Sequence, residues 1–311
     1  MKLKILIYTL IFLSFAACAP GKKDGREKTL TVGVMSSLDY LPLAVATSSG
    51  YFTQEGIEVN LQKFYSANER DAALQSGNLD GCILDYTGAA IQRAGGVNLY
   101  LTSQCDATFE LIAGKNSGVK SVNDLRGKNF AVARNTVIDF CTDMVLKNAG
   151  IAQSEVQKSE INKIPLRLEM LRNEKIDLTV LPDPFATMAK SDGNQFVTSL
   201  QEMGYHVTGI VFTATAIDSK AKTIRAFYRA YNRAISDLQQ RPIADFQDIL
   251  INEIGFSQPA IVNVKLPEYN PANLPEDNDL EAVSAWLREK ELVPAGFDIY
   301  SLVDSRFVTA P

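Results

Sequence analysis

Residues 29–64 carry the pattern that most limits what this chain can fold into. Residues 29–34 (TLTVGV) alternate as a half-buried strand does, and 41–49 form an apolar helical stretch closed by Gly50. Residues 57–64 then alternate again through Ile57, Val59 and Leu61. Strand, helix and strand within about forty residues make a βαβ unit, whose strands pair in parallel across the helical crossover. That commits the chain to an α/β fold, and 311 residues are enough for roughly two such domains.

The design recurs downstream. Residues 68–76 read as a helix, followed by the turn Gly77-Asn78-Leu79-Asp80 and the apolar run Cys82-Ile83-Leu84. Arg70, Leu74, Asp80, Leu84 and Ala89 fall in register with Arg167, Leu171, Asp177, Leu181 and Ala186. Both segments run helix, turn with Asp, buried strand, then a loop (85–88 and 182–185), which predicts two similar lobes facing each other. The second lobe is expected from near Val119. Ser121 caps a short helix over 122–125, a strand follows at 129–133, and a helix at 137–148 is ended by Gly150. Another strand is expected near 160–164, then the echo helix at 166–172. Residues 109–114 and 206–216 are apolar and β-rich, and are expected to cross between lobes. The expected division is 29–113 plus 208–311 for a discontinuous first lobe and 114–207 for the second. In the last third, Ile224, Phe227, Tyr231, Ala234 and Leu238 form one helical stripe. Further helices are expected at 245–254 and around Leu280, Val283, Trp286 and Leu287, all packing on the first lobe.

The N-terminus has a different use. Lys2 and Lys4 precede an apolar run over 5–15, and the small pair Ala16-Ala17 precedes Cys18. This is a secretory signal over 1–17, too short for a comfortable membrane span. Cys18 after the small pair resembles a bacterial lipobox, so it is expected to be lipidated, with Phe15 standing where an aliphatic residue is usual. Residues 19–28 (APGKKDGREK) are Pro/Gly/charge-rich, and residues 18–28 are expected to tether a soluble domain to a membrane in the cell envelope.

Composition excludes several classes. The net charge is -5, with 31 Lys+Arg against 36 Asp+Glu, which argues against a surface built to neutralise nucleic-acid phosphates. His206 is the single histidine, which disfavours His-rich metal sites and His-dependent triads, so no metal or cofactor is expected. Cys82, Cys105 and Cys141 remain beyond Cys18, an odd number that excludes a full disulfide framework. No GxGxxG, P-loop, GxSxG, CxxC or HExxH occurs, so catalysis is disfavoured.

In open α/β sheets ligands bind at the carboxyl ends of strands. That rule selects the loops holding Ser36, Asp39 and Tyr40; Ser66; Asp85, Tyr86 and Thr87; Arg134, Asn135 and Thr136; and Asp183 and Phe185. Tyr40, Tyr86 and Phe185 are expected to supply apolar walls, while Ser66, Thr87, Asn135 and Thr136 supply hydrogen bonds. Arg134-Asn135-Thr136 precedes a helix, either as an anion seat or as a simple cap. Asp85 and Asp183 favour a ligand with donor groups, so the sign of the ligand's charge stays open.

Four segments carry a family resemblance: 44–59 (AVATSSGYFTQEGIEV), 74–80 (LQSGNLD), 121–133 (SVNDLRGKNFAVA) and 181–186 (LPDPFA). With them the chain resembles the substrate-binding proteins of ATP-binding-cassette importers, in the broad family of sulfonate, taurine, nitrate and thiamine-pyrimidine-precursor binders. Asp183-Pro184 stands where that family often has Glu-Pro. The resemblance implies a type II periplasmic-binding fold, two Rossmann-like lobes joined by two crossover strands. It also implies a monomer that binds a small molecule between lobes and docks on a permease with its ATPase. The cysteine-rich motif of the fungal pyrimidine-precursor synthases on this fold is not visible here. A lipid-anchored biosynthetic enzyme on the same fold is the alternative.

Overall fold

The computed structural model describes residues 26–308, so the expected signal at 1–17 and the lipidated Cys18 lie outside the described residues. Of the expected tether, Arg26–Lys28 is described; it forms a 3-10 turn held by the Thr223 hydroxyl, which donates to the Glu27 carbonyl.

The first part of the chain runs β1 (Thr29–Met35), α1 (Leu41–Ser48), α2 (Tyr51–Gln54), β2 (Glu58–Phe64), α3 (Ala67–Gln75), β3 (Gly81–Asp85), α4 (Tyr86–Ala94) and β4 (Leu99–Gln104). Then come β5 (Phe109–Ala113), β6 (Asn129–Val132), α5 (Val137–Asn148), β7 (Gln157–Glu160), α6 (Ile164–Arg172), β8 (Leu178–Pro182), α7 (Phe185–Ser191) and β9 (Gln195–Ser199). The chain ends with β10 (Thr208–Thr213), α8 (Ala214–Gln240), α9 (Gln247–Ile249) and α10 (Asp277–Glu289).

Two five-stranded sheets result, in the orders β2-β1-β3-β10-β4 and β7-β6-β8-β5-β9. In each, three strands pair in parallel and a strand arriving from the other half inserts antiparallel. Thus β10 pairs antiparallel with β3 and β4, and β5 with β8 and β9. The chain therefore crosses twice, through residues 105–108 into β5 and through 200–207 into β10.

The internal echo is an echo of bonding as well as of sequence. Asp80 Oδ2 accepts from the Thr31 amide at 2.8 Å, and Asp177 Oδ2 accepts from the Asn129 amide at 2.8 Å. Each turn aspartate thus fastens its buried strand to the neighbouring parallel strand, and the adjoining main-chain bonds repeat too. Where β10 passes between β3 and β4, Gly209 has no room for a side chain: a Cβ would press on Leu101 and sit 2.5 Å from the Ser103 carbonyl.

The stripe on α8 is buried as its spacing predicts. Phe227 stacks on Phe52 of α2 at 5.6 Å, and Ile224, Tyr231 and Ala234 are buried beside it. Other expectations shift. The strand foreseen near 160–164 is β7 at Gln157–Glu160, because Pro165 favours a helix start and α6 begins at Ile164. His206 lies before its expected crossover strand, and its amide donates to Asp279 at 3.1 Å. That strand also ends earlier, because Thr213 caps α8 by accepting from the Ala216 amide at 3.2 Å. Residues 245–254 do not form one helix: a 3-10 turn, α9 and a π turn (Leu250–Ile254) follow one another.

The helix α10 departs most from expectation. It packs on α4 of the first half, but Trp286 also meets Phe140 of α5 edge-on at 5.7 Å. Trp286 Nε1 donates to Asp143 at 2.9 Å, and Lys290 bridges Asp139 at 2.7 Å and Asp143 at 2.8 Å. Lys158 of β7 pairs with the same two carboxylates. The last helix is thus fastened to both halves, within one apolar core that includes Leu84, Leu101, Phe130, Val132 and Trp286.

Candidate functional site

The carboxyl ends of strands from both sheets converge on a cavity of about 50 Å³. Met35, Asp85 and Pro182 stand at the ends of β1, β3 and β8, while Phe109 and Thr208 open the antiparallel β5 and β10. The remaining walls come from the loop after β1 (Ser37, Asp39), from α3 (Ala67, Arg70), from the start of α5 (Thr136, Val137, Ile138) and from the α6 region (Asn162, Ile164, Arg167). Near its edge the two halves touch: the Ile164 amide donates to the Tyr65 carbonyl at 3.3 Å, and Lys163 pairs with Glu69 at 3.4 Å.

The first wall carries a linked set of charges. Arg70 is buried, with Nε on Asp71 at 2.9 Å, Nη2 on Asp71 at 2.8 Å and Asp85 farther off at 3.7 Å. Burial opposes its charge, yet the carboxylates, Asp71 foremost, hold its pKa above the ordinary range. Asp85 accepts from the Gly88 amide at 2.8 Å and from the Thr87 hydroxyl, so it caps α4 while facing the cavity. Asp39 is buried and accepts from the Ser37 hydroxyl. Burial pushes its carboxyl up to about 6, against the pull of Ser37 and Arg70. Near neutrality Asp39 is therefore within reach of both protonation states, able to accept or to donate a hydrogen bond.

The opposite wall is different. Arg167 is 1% exposed, and its Nη1 donates to the carbonyls of Ile161 at 3.0 Å and Asn162 at 3.3 Å. Its Nε has no hydrogen-bond partner, and among the described residues no carboxylate lies within 4.0 Å of the guanidinium. Burial alone lowers its pKa to about 10, so it stays charged at neutral pH. The chain thus holds an unpaired cation against Ile164, Val137 and Ile138.

Of the residues expected from sequence, Asp39, Asp85 and Thr136 line this cavity, and Ser36 is buried next to the lining Ser37. The others have different employment. Tyr40 directs its hydroxyl to Glu253 at 3.1 Å and lines an outer groove beside β2. Tyr86 is fully buried, its hydroxyl 3.4 Å from Gln104, and Thr87 is spent on Asp85. Ser66 caps α3 by accepting from Glu69 at 3.2 Å, and Asp183 accepts from the Thr187 amide at 2.8 Å. Phe185 packs with the apolar group around α6 and α7. Arg134 pairs with Glu160 at 3.4 Å on the surface. The Asn135 amide donates to Asp139 at 3.2 Å, and Thr136 caps α5 by accepting from Ile138 at 3.2 Å. Within 134–136 only the Thr136 side chain caps the helix, and it also lines the cavity. Among the described residues the thiols of Cys82, Cys105 and Cys141 are buried and form no disulfide; burial pushes Cys82 up to about 12, leaving no thiolate there at neutral pH.

The strand-end rule does not select Arg70 and Arg167, because both sit on helices. The signal was nonetheless in the echo. Each arginine lies four residues before a buried leucine, Leu74 or Leu171, on the same helix face, so each charge was aimed inward in both lobes.

Comparison with known proteins agrees with this architecture. The family model described as NMT1/THI5 like matches residues 37–244. YtlA of Bacillus subtilis, named as a binding protein, is 23% identical over 272 residues, 83% of this chain and 80% of its own length. A Bacillus subtilis protein named for binding aliphatic sulfonates is 22% identical over 329 residues, covering 99% of this chain and 96% of that one. Among solved structures, the alkanesulfonate-binding protein SsuA from Xanthomonas axonopodis, bound to MOPS, superposes with a TM-score of 0.76 at 16% identity. The match covers 89% of this chain and 98% of that one, and it shows a shared fold.

Proposed function

Because the chain belongs to the NMT1/THI5-like family, we propose that it is the substrate-binding component of an ATP-binding-cassette importer, capturing a small organic molecule between two lobes for a membrane permease. One observation carries the reading: strand ends of both sheets meet at a single cavity walled by buried charges from each side. The lobes follow the two sheets, 29–104 with 208–308, and 109–199, so that β5 goes with the second lobe and not with 29–113 as the sequence suggests. Binding is a population shift: a ligand touching both walls favours the closed arrangement, with the crossings at 105–108 and 200–207 as hinges. Asp39, Arg70 and Asp85 serve from one side, Thr136 and Arg167 from the other.

The relative named for aliphatic sulfonates and the SsuA structure support small organic acids as the first compounds to try. The signal at 1–17 and the lipobox-like Cys18 support a lipid-anchored envelope protein whose folded part stands off the membrane. No helix among the described residues is long and apolar enough to cross a membrane. The test is thermal shift against fractionated small-molecule extract of the source cells. A ligand at a hundred times its Kd adds about 2.7 kcal/mol, a shift of several degrees. Absence of any stabilising fraction contradicts the reading, and recovery of a chemically altered ligand favours the enzyme alternative.

A further inference from the structure

A buried arginine that meets no acid is unusual, because an unpaired charge taken out of water is strongly penalised. Arg167 is in that position at the cavity wall, whereas Arg70 across from it is already engaged by Asp71 and Asp85. The two arginines occupy equivalent places in the echo, yet only one is neutralised. Its Nη1 braces the loop at Ile161 and Asn162, which fixes the guanidinium, and its Nε is left without a partner. A planar guanidinium held in this way suits an oxyanion, which it can meet through two parallel N–H groups.

Building on the binding-protein reading, we infer that Arg167 seats an anionic group of the ligand, a carboxylate, sulfonate or phosphate, and selects for charged molecules over neutral ones of the same shape. Asp39 and Asp85 face the remainder of that molecule. The anion supplies the missing counter-charge, so ligand affinity and the stability of the second lobe are coupled through Arg167.

The experiment is calorimetry on the wild-type protein with short alkanesulfonates, alkanecarboxylates, alkyl phosphates and inorganic phosphate, each organic anion run beside its neutral amide or alcohol counterpart. The three anion series distinguish which oxyanion is preferred. The expected result is binding of anions at least tenfold tighter than their neutral counterparts. Arg167→Met is expected to remove that preference, Arg167→Lys to retain part of it, and Arg172→Met on the same helix to leave it intact. Circular dichroism checks that each variant is folded, and the wild-type comparison needs no variant. Neutral compounds binding as tightly as anions, or unchanged anion affinity in Arg167→Met, overturns the inference while the binding-protein reading stands. Failure of the whole panel together with the cell extract overturns both.

Discussion

The cluster joining α10 to α5 gives the sharpest prediction about stability. Asp143 is 5% exposed and accepts from Trp286, Lys290 and Lys158. Replacing it with Ala leaves a buried indole N–H without an acceptor and two lysines sharing Asp139. Breaking a buried pair in this way costs about 3–5 kcal/mol. For a chain of this size that corresponds to roughly 5–8 °C in Tm. Trp286 is the only tryptophan, so its fluorescence reports this contact without interference. We expect Asp143→Ala to melt by that margin below wild type, with Trp286 emission shifted to the red. The cluster also has an acid limit. Burial opposes ionisation of Asp139, yet Lys158 and Lys290 hold its carboxyl below the usual range. Its contribution is therefore complete above about pH 4 and is lost as pH falls through the depressed value. An unchanged melting point together with unchanged emission would refute the idea that α10 is fastened through these charges.

Four further outcomes follow from the cavity and the sheets. Asp39 titrates near 6 when folded and near 4 when unfolded, so its neutral form stabilises the fold below about pH 4 and that gain fades as pH rises to 6. Asp39→Asn is expected to remove this fall, a difference of about 2 kcal/mol between pH 4 and 7, measured by urea unfolding at each pH. Gly209→Ala is expected to cost about 2–3 kcal/mol by thermal melting, since its Cβ meets Leu101 and a β4 carbonyl that cannot retreat. Asp183→Ala is expected to cost about 1 kcal/mol through loss of its bond to the Thr187 amide, with ligand affinity unchanged, whereas Asp85→Asn weakens ligand binding severalfold because it disturbs Arg70.

The architecture was legible because it rests on local periodicity. Alternating strands, glycine-closed helices and the repeated Arg/Leu/Asp/Leu/Ala spacing all report burial along one element, and the paired Asp80 and Asp177 bonds show that the repeat was structural. The site was legible only in part. Strand-end loops pointed to Asp39 and Asp85, but capping and ligand contact call for the same residue types, so Ser66, Thr136 and Asp183 cannot be sorted by sequence. Tyr40, in a 3-10 turn, and Tyr86, at the start of α4, point to Glu253 and Gln104, partners distant in the chain that no local pattern reveals. The tie between α10 and α5 joins residues 143 apart, from Asp143 to Trp286, beyond any local pattern.

The central claim is capture of a small molecule between the lobes, and native mass spectrometry of the protein purified from its own source addresses it most directly. The account predicts the intact mass plus one discrete small-molecule increment. That increment is removed by gentle unfolding, restored by adding back the released compound, and diminished in Arg70→Met. A protein that carries no such mass, before or after incubation with cell extract, contradicts it.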